Sequence, residues 1–224
     1  MKKILTCALA ALLLLPTFAR EKEPVASSAD GKVTFDVASH VGYGYHFVKS
    51  SDFRPAWSGN LFINLVKLGV HLDDLSLGLG LDFDYKNFTS KESIFLQDGA
   101  HKIQTSAFPT MDGTLKKCRG GIDVFSLTTP LHVQYSIGHI RLGLGAEANF
   151  NLTGDTYFRY KVDNKRTLVS ESKAAVNPFS YGFFATLGVN DGCFFFKYYP
   201  KSSRILPKGS VDLGFMTLGI AFGL

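Results

Sequence analysis

The stretch from Leu75 to Tyr85 reads LSLGLGLDFDY, with Leu75, Leu77, Leu79, Leu81, Phe83 and Tyr85 in one phase and Ser76, Gly78, Gly80, Asp82 and Asp84 in the other. Period two puts successive side chains on opposite faces of an extended chain, so the pattern predicts a strand with one bulky apolar face and one lean, polar face. The same pattern runs from Val33 to Phe47, where Val33, Phe35, Val37, Val41, Tyr43, Tyr45 and Phe47 alternate with residues that include Asp36, His40, Gly42, Gly44 and His46. It returns over Phe125 to Ile137, Ile140 to Leu152, Phe179 to Val189, Phe194 to Tyr198 and Leu218 to Leu224.

Three places strain the pattern. Trp57 to Leu72 is apolar in both phases, and a bulge near Val66 reconciles Leu61, Ile63 and Leu65 with Val66, Leu68, Val70 and Leu72. Val211, Leu213 and Phe215 are out of phase with Leu218 onward, which predicts a second slip in the last strand. Pro130 lies inside the Phe125 to Ile137 strand, where it removes a ladder donor.

The connections fall into two classes. Asp73-Asp74, Gly138-His139 and Asn190-Asp191-Gly192 are tight turns, whereas Lys49 to Ala56, Thr89 to Arg119, Asp155 to Ala175 and Pro200 to Gly209 are long. The two classes alternate strictly along eight strands, so the turns gather at one end and the loops at the other.

In a soluble ligand-carrying barrel the apolar face turns inward and the outer face is charged. Here the second face is mostly glycine, serine, threonine and alanine with a few charges, which makes a poor hydrophobic cavity but a good interior for a narrow barrel. The predicted fold is therefore all-β: a closed antiparallel eight-stranded up-and-down transmembrane β-barrel, with its apolar face toward lipid. Tyr43, Tyr45, Phe47, Tyr85, Phe88, Tyr157, Phe158, Tyr160, Tyr198 and Tyr199 are expected to form interfacial girdles, mostly at the loop end.

Composition agrees, since charged residues are only 19% of the 224 residues and hydrophobic ones 46%. The one continuous apolar run, Ile4 to Pro16, is shorter than the ~20 residues a spanning helix needs. Lys2 and Lys3 before it and Thr17-Phe18-Ala19 after it give a secretory signal peptide over 1–19, followed by a flexible lead over 20–32 and the barrel over 33–224. Cys7 leaves with the signal, and Cys118 and Cys193 fall at opposite ends of the strand map, too far apart for a disulfide.

Four stretches resemble the outer-membrane β-barrel family of Bacteroidota that includes PorT-like proteins, and more broadly OmpA-like eight-stranded barrels. They are LSLGLGLDFDY, FSLTTPLHVQYSI, LGLGAEANFNL and AVNPFSYGFFATLGVNDGCFFFKYYPKSSRILPKGSVDLGF. The resemblance implies an outer-membrane location and a role in secretion or envelope assembly, and it specifies fold more than activity. The terminal residue is Leu224 rather than the aromatic common in such barrels, with Phe222 two places earlier.

Counted from the turn ends, His40, Lys67, Asp82, His132, Glu147 and Lys197 lie at comparable height in the lumen, with Asp84 one step above Asp82. Charges confined this way call for pairing, so the expected arrangement is a structural ion-pair network that plugs the barrel. Catalytic readings fare poorly. Asp82 and Asp84 are about 7 Å apart along a strand but lack a cleft for a sugar. His40 and His46 are about 20 Å apart, too far to share a zinc ion. No catalytic residue, cofactor or metal site is expected.

The long loops carry eight more positive than negative charges, more than the whole chain's +5. Lys116, Lys117, Arg119, Lys165, Arg166, Lys201, Arg204 and Lys208 give the loop end a basic surface, which suits lipopolysaccharide phosphates or is ordinary solvated charge. The functional expectation is a non-enzymatic, monomeric outer-membrane scaffold whose external loops bind envelope or secretion proteins or surface glycans. Nucleic acid is not an expected partner, and the short turns and N-terminus face the periplasm. A lipid-modifying enzyme of the palmitoyltransferase kind and a soluble lipocalin-like carrier are the alternatives.

Overall fold

The computed structural model describes residues 24–28, 31–37, 40–48, 53, 58–90, 93–97, 102–106, 116–162, 165–189 and 192–223. The expected signal peptide and most of the connection from 91 to 115 lie outside them. Every regular element among the described residues is a strand: β1 Pro24–Ser28, β2 Gly31–Val37, β3 His40–Val48, β4 Gly59–Leu72, β5 Leu75–Ser90, β6 Ser93–Gln97 and β7 Lys102–Ser106 come first. Then follow β8 Lys116–Ile137, β9 Ile140–Val162, β10 Lys165–Ala174, β11 Phe179–Val189, β12 Gly192–Tyr199 and β13 Phe215–Gly223.

Closure is read from the ladder. β3 pairs with β4, β4 with β5, β5 with β8, β8 with β9, β9 with β11, β11 with β12, β12 with β13, and β13 returns to β3, all antiparallel. This is the eight-stranded up-and-down barrel that the alternation predicts. β2 extends the line of β3 and pairs further down β4, Val37 opposite Val66 and Lys32 opposite His71. β1, inside the expected lead, pairs with β2 on the edge away from β4.

The alternation sorts the faces in the predicted sense. Leu79 is 44% exposed and Leu144 70%, whereas Glu147 is 3% exposed. Tyr43, Tyr45, Phe47 and Tyr198 also face out, but Phe88 and Tyr199, expected in the girdles, point inward and are fully buried, and Tyr157 is buried as well.

The irregularities resolve differently. The ladder between β4 and β5 shifts between Asn64 and Val66, where the bulge was expected. The last strand has no slip: Phe215 belongs to the inward phase with Thr217, and 211–214 precede the strand. Opposite Pro130, β5 and β8 keep one register, yet Gly80 and Leu81 are missing from the ladder between Leu79–Leu131 and Asp82–Thr128, as a residue without an N–H dictates.

The long connections are more ordered than expected. β8 and β9 run on as a paired ribbon as far as Lys116 opposite Lys161, and β10 returns along β9. β6 and β7 form a hairpin inside the connection read as a loop.

The core lies inside the barrel at the loop end. Phe53, Phe88, Ile122, Val124, Tyr199, Ile205, Leu206, Leu213 and Phe215 pack into one buried cluster. Loop 200–214 supplies three of these, so it folds into the barrel mouth instead of standing free. Fully burying such side chains is worth about 1.5–3 kcal/mol each.

Candidate functional site

Beneath this apolar plug the lumen is polar. His46, on the inward phase of β3, marks the boundary: its ring stacks on Phe88 at 4.8 Å, meets Phe215 edge-on at 4.6 Å, and its Nδ1 is 2.8 Å from Thr217 Oγ1.

Two ion pairs anchor the middle of the barrel. Lys86 Nζ donates to Asp84 Oδ2 at 2.7 Å, both side chains being fully buried, and also to Asn149 Oδ1 at 2.9 Å. Asn60 donates to Asp84 at 3.2 Å, and Thr128 donates to Asn149 at 2.8 Å. Lys197 donates to Glu147 at 2.9 Å while its ammonium lies 4.6 Å from the Phe62 ring and 5.8 Å from that of Phe195. The Tyr199 hydroxyl donates to Glu147, and because the Tyr199 ring stacks on Phe215 at 4.2 Å, this tyrosine links the ionic tier to the plug. Asp82 accepts from Asn64 at 2.6 Å. Each of these three carboxylates, Asp82, Asp84 and Glu147, thus has a fixed donor, as buried charge requires.

Glycines make room for these groups. A Cβ at Gly78 would stand 2.2 Å from His132 Cε1, and one at Gly80 would stand 3.0 Å from Pro130 Cγ. The lean face of Leu75 to Tyr85 therefore houses the bulk of β8.

Toward the short turns the lumen opens into a cavity. His40, Lys67, Asp82, His132, Glu147 and Lys197 all line it, while Asp84 is held above it by Lys86. Lys86, Asn60, Asn64 and Asn149 were not singled out from sequence, and Tyr199 was expected only in an interfacial girdle. The strict alternation of β5 does place Lys86 on the inward face, two residues past Asp84, and that was the usable signal.

Of the expected basic surface, four of the eight side chains lie among the described residues. Lys201, Arg204 and Lys208 are exposed on loop 200–214, and Lys201 pairs with Asp212 at 2.7 Å just beyond the stretch that lacked acids. Arg119 stands opposite Arg159 in the ribbon. Lys116 and Lys117 lie on β8 and Lys165 and Arg166 on β10, with side chains outside the described residues. Cys193 is a free thiol near the turn end, and Cys118 lies on β8 at the other end. Among the described residues no three His, Cys, Asp or Glu side chains gather to hold a metal ion.

No protein-family model matches the sequence, and no curated protein matches it. Among solved structures the chain is similar to a triple mutant of the porin of Rhodopseudomonas blastica and to a second mutant of that porin. Each likeness is at 10% identity over 86% of this chain and 100% of the other, with TM-scores of 0.20 and 0.21. The closure of the barrel rests on its own strand ladder.

Proposed function

We propose that the protein is a non-enzymatic integral barrel of the outer membrane, closed to conduction and serving as a scaffold that presents an ordered rim to partners. The observation that carries this reading is the inversion of faces. Leu68, Leu77, Leu79, Leu131, Leu142, Leu144, Phe183 and Phe194 are all more than a third exposed around the barrel wall, while Asp84, Lys86, Glu147 and Lys197 are inside. Water-facing proteins rarely expose contiguous apolar patches beyond a few hundred Å², and a lipocalin-like carrier needs the opposite arrangement. The plugged mouth and the ionic tier favour a closed lumen, and they leave little room for the acyl chain that a lipid-modifying enzyme must admit.

The β8–β9–β10 ribbon and loop 200–214 are the surfaces offered to partners. Lys201, Arg204 and Lys208 suit lipopolysaccharide phosphates or acidic glycans. On the resemblance to PorT-like proteins, those partners belong to secretion or envelope assembly. In this orientation the short turns face the periplasm. The test is fractionation of expressing cells followed by electrophoresis with and without boiling. A membrane-bound species whose mobility shifts only on boiling is expected, and a soluble periplasmic protein would end the proposal.

A further inference from the structure

The ribbon that rises from the barrel ends in a strand with one side open. One edge of β9 carries β11 as far as Phe150, and on that same edge β10 takes over, from Glu171 opposite Thr156 to Lys165 opposite Val162. β8 covers the other edge up to Lys116 opposite Lys161. Among the described residues nothing pairs with the far edge of β10, and its run from Lys165 to Glu171 keeps an unbroken register. A row of unpaired backbone N–H and C=O groups is a template for another strand. The run is closed off at its end, where the register shifts between Glu171 and Ala174 and Lys173 sits at φ 60, so an added strand is confined to Lys165–Glu171.

That run reads KRTLVSE, and it matches itself in the antiparallel sense. With Leu168 opposite its own copy, Thr167 stands opposite Val169, Arg166 opposite Ser170 and Lys165 opposite Glu171. The last pair occurs at both ends, and opposite charges directly across an antiparallel pair stabilise it.

Direction decides where the two copies sit. An antiparallel neighbour runs the other way, and the ribbon strands continue strands of the barrel wall. Copies side by side in one membrane point the same way whatever their tilt, so only copies in two facing membranes can pair like this. The reach is there: Ala174, buried in the plug, lies opposite Gly154, and from Gly154 to Val162 β9 climbs about 26 Å further. We propose that β10 pairs with β10 of a second copy in an apposed membrane, joining two three-stranded ribbons into one sheet that bridges the membranes. This rests on the outer-membrane scaffold function proposed for the barrel. Strand addition at an open edge draws affinity from the main chain and specificity from the residues along it.

The test uses the full chain in phosphatidylcholine vesicles, whose headgroups carry no net charge and so offer the basic loops no anionic surface. Preparations in which added trypsin cuts the ribbon are taken. Clustering is followed by turbidity and, in mixtures, by fluorescence cross-correlation of differently dyed vesicles. Wild-type vesicles are expected to raise turbidity several-fold over protein-free ones. Lys165→Glu or Glu171→Lys alone is expected to return it to background, because like charges then meet at both ends. Mixing the two variants is expected to restore clustering. The double variant, with unchanged net charge, is expected to cluster with itself and not with wild type. No clustering by wild type, clustering that a single variant leaves intact, mixed variants no better than each alone, or a double variant that joins wild type overturns the proposal. A normal heat-shifted band without clustering removes the bridge alone, whereas absence of the band removes the scaffold function and the bridge with it.

Discussion

At the scale of single residues, Lys86 carries more than its sequence context suggests. It bonds Asp84 and Asn149 from a fully buried position, so its removal strands a carboxylate that water cannot reach. Truncating one member of a buried pair costs about 3–5 kcal/mol, whereas replacing both by apolar groups of similar size is often close to neutral. Lys86→Ala is therefore expected to lower barrel stability by that amount, and Asp84→Leu combined with Lys86→Met to recover most of it. Urea unfolding in lipid vesicles measures both, and a double variant as unstable as Lys86→Ala alone would refute the pairing. A steric analogue exists at Gly78, where an added methyl meets the His132 ring. Gly78→Ala is expected to cost about 1–3 kcal/mol, and His132→Ala in the same chain to relieve it. A double-mutant cycle with additive costs would show that the two positions do not touch.

At the scale of elements, loop 200–214 behaves as part of the core. Ile205, Leu206 and Leu213 enter the barrel mouth, and Asn177 ties the loop to the approach of β11 by donating to the carbonyls of Arg204 at 2.7 Å and Leu206 at 2.9 Å. Leu206→Ala is expected to lose about 2–5 kcal/mol. The Lys201–Asp212 pair is solvent-exposed, so Asp212→Asn is expected to stay within about 0.5 kcal/mol. Thermal melting of the folded band separates the two effects. Partial burial alone would raise the Asp212 pKa, but the Lys201 hydrogen bond, the Gly214 N–H and the nearby charges outweigh it and hold the carboxyl below its usual 3.8. With a depressed folded pKa, whatever the pair contributes is complete above 3.8 and fades as pH falls below it.

Elements also show what the sequence could and could not carry. Wherever a strand turns one exposed apolar face outward and a lean face to the lumen, period two survives, and both the strands and the bulge at Val66 are legible. The β8–β9–β10 ribbon, beyond the eight-strand ladder, carries no such alternation to mark it. Phe88 and Tyr199 misled for another reason: they are aromatic residues on the luminal phase, and a girdle and a plug draw on the same amino acids, while Phe215, an apolar residue on that same phase, imitated a register slip.

At the scale of the whole molecule, everything turns on which solvent meets the outer wall. Leu144 is the clearest probe: it is 70% exposed, pairs in register with Val133 and Ala185, and lies within the band from Ile140 to Leu152. A cation on the lipid face of a barrel costs about 2–4 kcal/mol at the bilayer midplane and falls toward zero near the interfaces. An exposed substitution on a water-soluble barrel stays within about 0.5 kcal/mol. Leu144→Arg is therefore expected to destabilise the barrel in phospholipid vesicles, with a smaller loss for the same change at Ile137, beside the Gly138 turn. The depth dependence is the deciding quantity, because packing loss at two sites that are both more than half exposed has no reason to grade with distance from the turns. Equal costs at the two positions would leave the exposed leucines without a lipid to explain them.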